Sequence, residues 1–82
     1  MKLLKFEASW CQPCKQLSKT LETIDLPYPI EVIDIDENLE LAKQYGIRGV
    51  PHLILLDDNE QIVVRFGGAV NRKILTEGLG LE

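Results

Sequence analysis

Two cysteines, Cys11 and Cys14, are the whole thiol inventory of this 82-residue chain, which excludes a multiply bridged secreted scaffold. Basic residues are also few. Nine Lys and Arg against thirteen Asp and Glu leave a net charge of −4, a field that opposes nucleic acid and anionic membrane surfaces. Long apolar runs are absent: the longest, Leu53 to Leu56, falls far short of the ~20 residues a membrane-spanning helix needs. The start, Met1 to Glu7, briefly mimics a signal peptide, but Lys5 and Glu7 interrupt any apolar stretch before it reaches ~7 residues. A soluble protein in a cytosolic setting is the expectation, although a mature exported chain without its leader would read the same. The length excludes a two-domain enzyme, and 45% hydrophobic with 27% charged residues is a globular balance, so residues 1–82 read as one domain.

No internal repeat or low-complexity stretch is present, and Gly and Pro punctuate the chain at regular intervals. Lys2 to Phe6 reads as a first strand, with Ser9 approaching a helix cap. Cys14, Leu17, Leu21 and Ile24 fall at steps of three, four and three, one stripe of a core-facing helix that Pro27 and Pro29 stop. Ile30 to Ile35 has the Ile and Val density of a buried strand. Asp34, Asp36, Glu37 and Asn38 then offer acid and cap to a helix over Leu39 to Tyr45, with Gly46 at its C′ position. On that helix Leu39, Leu41, Ala42 and Tyr45 read as core. Leu53 to Leu56 and Gln61 to Phe66 read as a hairpin around the turn formers Asp57, Asp58, Asn59 and Glu60. Asn71 caps a last helix through Leu79, with Arg72 and Lys73 in its first turn opposing the dipole. The order βαβαββα gives a parallel strand pair joined by a right-handed crossover and a late antiparallel hairpin: a mixed four-stranded α/β sheet with helices on its faces.

The spacing of Cys11, Gln12, Pro13 and Cys14 puts two sulfurs one helical turn apart, near the 5 to 6 Å Cα separation that a disulfide accepts. Chain entropy makes a bridge across four residues worth roughly 2 kcal/mol, against nearly 5 for a hundred-residue loop, which favours reversible redox work over stapling. Cys11 stands where a helix begins, so unpaired N–H groups and the dipole favour its thiolate, the expected nucleophile. Pro13 is tolerated in a first turn. Cys14 continues the buried stripe and is the expected resolving thiol. The alternative is half of a zinc or iron knuckle. His52 is the one nitrogen ligand available, so a closed site would need carboxylates or a second chain's cysteine pair.

Phe6 to Lys15, with Trp10-Cys11-Gln12-Pro13-Cys14-Lys15 at its centre, resembles the active-site segment of the thioredoxin family. Tyr45-Gly46-Ile47-Arg48-Gly49-Val50-Pro51 resembles that family's approach to its cis-proline, and Gly67 matches a glycine near the site. The resemblance covers nearly the whole chain. It implies a minimal thioredoxin fold with strand order 2-1-3-4 and a cis Val50 to Pro51 bond facing the cysteines. It further implies a surface of Trp10, Val50, Pro51, Gly67 and Gly68 that docks client polypeptides. Set against the family pattern, residues 1–82 are expected to form a minimal version, near glutaredoxin in size, lacking the usual extra N-terminal strand and helix. Gln12 replaces the usual glycine, and Lys5 stands where thioredoxins commonly carry a buried aspartate. Two-residue alternation puts Lys5 and Glu7 on one strand face, either as a pair supporting the cysteines or as a solvated pair at a strand end. His52 replaces the usual Thr; it either donates to the Cys11 thiolate or simply packs.

The resemblance implies a monomeric protein-disulfide reductase that needs no bound cofactor beyond the Cys11 to Cys14 disulfide. Its clients would be protein disulfides, such as those of ribonucleotide reductase, and its reductant a thioredoxin reductase. Two rivals remain. One is a glutaredoxin-like enzyme using glutathione, to which Gly67 and Gly68 point; the other is a binding subunit of a larger complex that uses the same apolar face.

Overall fold

The computed structural model describes residues 1–81. Its elements are β1 (Lys2–Glu7), α1 (Gln12–Glu22), β2 (Ile30–Asp34), α2 (Leu39–Gln44), β3 (His52–Leu56), β4 (Ile62–Gly67) and α3 (Arg72–Gly78). The sheet order is β2-β1-β3-β4, with β1 parallel to β2 and antiparallel to β3, and β4 antiparallel to β3. The strand order is the one the resemblance implies, and the parallel pair followed by a late antiparallel hairpin is what the pattern predicts.

Strand alternation divides the core into two layers. Leu3, Leu53, Leu55 and Phe66 face α1 and α3, where they meet Leu17, Leu21 and Leu75. Leu4, Phe6, Ile33, Ile54 and Leu56 face the opposite way, against Leu41 of α2 and Tyr45 at its C-terminal end. The two central strands are therefore covered on both sides, whereas an edge strand needs cover on one side only. That explains a departure from expectation. β2 was read as a buried strand, yet only Ile33 is buried in it; Val32 is 57% exposed and opens onto a depression between β2 and Ser18, Leu21 and Glu22 of α1.

The α1 helix stops before its prolines matter. The N–H of Thr23 and of Ile24 bond back three residues, to Thr20 and Leu21, tightening the last turn, and Ile24 stays buried just outside the helix. Gly46 has φ +68 and closes α2 in the left-handed conformation. Leu39, read as core, is 63% exposed: α2 is six residues long, and Leu41 with Tyr45 at the helix end supplies the contact with the sheet, while Ala42 is buried. Asn38 does not cap with its side chain; its Nδ2 donates instead to the Asp34 carbonyl. Asn71 does cap α3, its Oδ1 accepting the Ile74 N–H at 2.9 Å. Among the described residues no helix is long and apolar enough to cross a membrane.

Candidate functional site

The parallel β1–β2 pair and α1 converge where β1 ends, and the cysteines stand at that point. Cys11 is the N-cap of α1, with φ −91 and ψ 107, and its Sγ accepts the Cys14 N–H at 3.1 Å. A sulfur thus fills the place usually taken by a capping hydroxyl or carboxylate. Ser9, which the sequence offered as an approach to the cap, lies outside. Pro13 occupies the first turn, where no intrahelical donor is lost. Cys11 and Cys14 form a disulfide with Cα atoms 5.3 Å apart. Both are buried, packed with Ala8 and against Ile35 and Val50.

The Val50–Pro51 peptide bond is cis, and Pro51 is fully buried at the start of β3. Its carbonyl accepts the Gly68 N–H at 2.9 Å, and Gly67 pairs with His52 across the β3–β4 ladder. These bonds gather Val50, Gly67 and Gly68 around the buried Pro51, and Val50 joins this group to the cysteines. Trp10, next to Cys11 in the chain, is 66% exposed, its indole N–H donating to Asp36 Oδ2 at 3.0 Å. Asp36 is a site residue that the sequence offered only as helix-capping acid. Twenty-six residues separate it from Trp10. Only the β1–β2 register, with Glu7 opposite Asp34, brings the two together.

Beneath the cysteines, Lys5 is 4% exposed, so it is no solvated strand-end pair. Its ammonium bonds both the Glu7 carboxylate and Ser18 Oγ, and that hydroxyl donates to the Cys14 carbonyl at 3.1 Å. The result is a continuous polar chain from Glu7 through Lys5 and Ser18 to the backbone of Cys14. Ser18 carried no signal in the sequence; it is one helical turn below Cys14 and faces β1 only because α1 packs on that side.

His52 does not turn to the cysteines. Its Nε2 accepts from Arg65 Nε–H at 3.1 Å, leaving the proton of the neutral ring on Nδ1, and Arg65 Nη2 also donates to the Tyr45 carbonyl at 2.8 Å. Burial, and then the Arg65 charge beside it, push the His52 pKa below its ordinary value. A neutral ring that accepts from Arg65 is not a cation donating to Cys11. Among the described residues no three His, Cys, Asp or Glu side chains are grouped so as to hold a metal ion.

The thioredoxin family model matches residues 1–80. Thioredoxin H5 of rice is 39% identical over 69 residues, a stretch covering 80% of this chain and 51% of that protein. Thioredoxin of Bacillus subtilis is also 39% identical over 69 residues, covering 79% of this chain and 66% of its own length. The chain thus spans between half and two thirds of these relatives. Among solved structures, a mutant thioredoxin from Halobacterium salinarum superposes with a TM-score of 0.83 at 38% identity, covering 93% of this chain and 68% of that one.

Proposed function

The chain belongs to the thioredoxin family, and from that premise we propose that it is a thiol–disulfide oxidoreductase that reduces protein disulfides through Cys11 and Cys14. One observation carries the reading: the sulfur of Cys11 is itself the N-cap of α1, held by the Cys14 N–H. When the bridge is open, that contact becomes a charge-assisted bond to a thiolate, reinforced by the positive end of the helix.

The Cys11 thiolate attacks one sulfur of a client disulfide. The client S–S bond breaks, and its far sulfur leaves as a thiolate that takes a proton. Cys14, deprotonated, then attacks Cys11 Sγ in the mixed disulfide and releases the second client thiolate. The client gains two electrons and two protons, and the chain is left with the Cys11–Cys14 bridge. That bridge forms without moving the backbone, because the cysteine Cα atoms stand at 5.3 Å. A thioredoxin reductase of the cytosol, or glutathione, restores the dithiol, and no other cofactor enters. Trp10, Val50, Pro51, Gly67 and Gly68 form the surface on which the client lies. Lys5 and Glu7 act as positioning residues: through Ser18 they fix the first turns of α1 against β1 and set the field under Cys14.

Incubating the reduced Cys14→Ser variant with a disulfide-bonded client should trap a mixed disulfide on Cys11. Cys11→Ser should trap none. Adducts of equal yield on both variants, or on neither, would refute the assigned roles.

A further inference from the structure

Acidic residues outnumber basic ones in this chain, yet the groove beside the client surface is cationic. This groove, about 510 Å³, runs along Val50, Pro51 and His52 between Arg48 and Arg65, and no carboxylate lines it. Another depression on the molecule has the opposite character, walled by Asp36, Glu37 and Glu40. Arg48 is exposed and makes no ion pair or hydrogen bond among the described residues. Arg65 is held in place by His52 and the Tyr45 carbonyl. Those bonds use two of its five N–H donors, and neither partner neutralises its charge. The glycine backbone leaves the groove open, since a Cβ at Gly49 or Gly68 would meet nothing within 4 Å.

Position gives this cationic groove its meaning. Val50 packs against the Cys11–Cys14 cluster and also lines the groove, so the groove opens beside the cysteines. We propose that the groove selects client proteins that carry an aspartate or glutamate within a few residues of the reacting half-cystine, the carboxylate being received between Arg48 and Arg65. The proposal rests on the dithiol-exchange reading above and names the client class of that site. A fork of fixed N–H groups on one wall and an unpaired guanidinium on the other suits a planar carboxylate.

Three disulfide peptides that differ only in Glu, Gln or Lys two residues from the half-cystine provide the test. Each is reacted with the full reduced chain at low ionic strength, and rates are read from thiol release. The Glu peptide should react about fivefold faster than the Gln peptide, the range of one partly exposed ion pair, and the Lys peptide slowest. The advantage should shrink at high salt. In Arg48→Glu the order of the Glu and Lys peptides should invert, an outcome that a purely structural role for Arg48 would not produce. Equal wild-type rates for the Glu and Gln peptides would overturn the proposal while leaving dithiol exchange intact. Faster reduction of glutathione disulfide than of any peptide would overturn the assignment to protein segments. Exchange with none of these substrates would remove the premise itself.

Discussion

The sheet presents a cation on each of its two faces, and the surroundings of the two are opposite. On the α1 face Lys5 is sealed from water and matched by Glu7 and Ser18. On the α2 face Arg65 stays exposed, bonded to a neutral imidazole and a carbonyl, with no carboxylate among the described residues to cancel it. A buried charge must be paired, because desolvation costs several kcal/mol per ion, whereas a charge at a solvated rim can stay unmatched. The first cation is therefore committed to holding the fold beneath the cysteines. The second keeps its field for whatever enters the groove.

The comparison breaks most sharply at Glu7. Glu7→Ala leaves the Lys5 ammonium in the interior with only a hydroxyl, so urea unfolding of the oxidised protein should show a loss of about 3 kcal/mol. Lys5→Met should cost less, about 1 kcal/mol, because the carboxylate left behind has a third of its side chain in water. Combining Lys5→Met with Glu7→Leu should recover most of the loss, since apolar groups can replace a buried pair without penalty. Equal costs for the two single variants would show that Lys5 is solvated. In the reduced protein, Lys5→Met should also shift the pH profile of Cys14 alkylation; an unchanged profile would confine Lys5 to a packing role.

On the other face the effects should be smaller. Arg65→Met removes two hydrogen bonds at an exposed site and should lower stability by less than about 1 kcal/mol. The least effect concerns pH. Because the His52 pKa is lowered in the fold, the unfolded chain takes up the proton first; this contribution to stability is complete above about pH 6.5 and is lost as pH falls through the folded value. Denaturation midpoints measured between about pH 7 and 5 should therefore fall less steeply for His52→Gln than for the parent. Identical slopes would mean that burial and the Arg65 charge do not hold the His52 pKa below its ordinary value in solution.

Much of the fold was legible where spacing along the chain fixes spacing in space. Cys14, Leu17, Leu21 and Ile24 are all buried as their periodicity required, Asn71 caps α3, and Gly46 takes the left-handed turn. The misreadings share one cause, because apolar content does not say whether a neighbour will cover it. Val32 and Leu39 look like core residues in sequence and are exposed, one at a sheet edge and one at the start of a short helix. At the site the cysteine spacing and the N-terminal place of Cys11 were readable, while Asp36, Ser18 and the Arg65 partnership of His52 were not.

The sequence by itself determined that two sulfurs would lie one turn apart at the start of a helix, since 3.6 residues per turn leaves no other arrangement once the helix forms. Tertiary structure alone decided what surrounds them. The indole of Trp10 meets Asp36, the ammonium of Lys5 meets Ser18, and the guanidinium of Arg65 meets both His52 and Tyr45. Each of these contacts joins residues thirteen or more positions apart. Strand register and the side on which each helix packs set such distances, and both follow from burying the whole core at once rather than from any local run of residues.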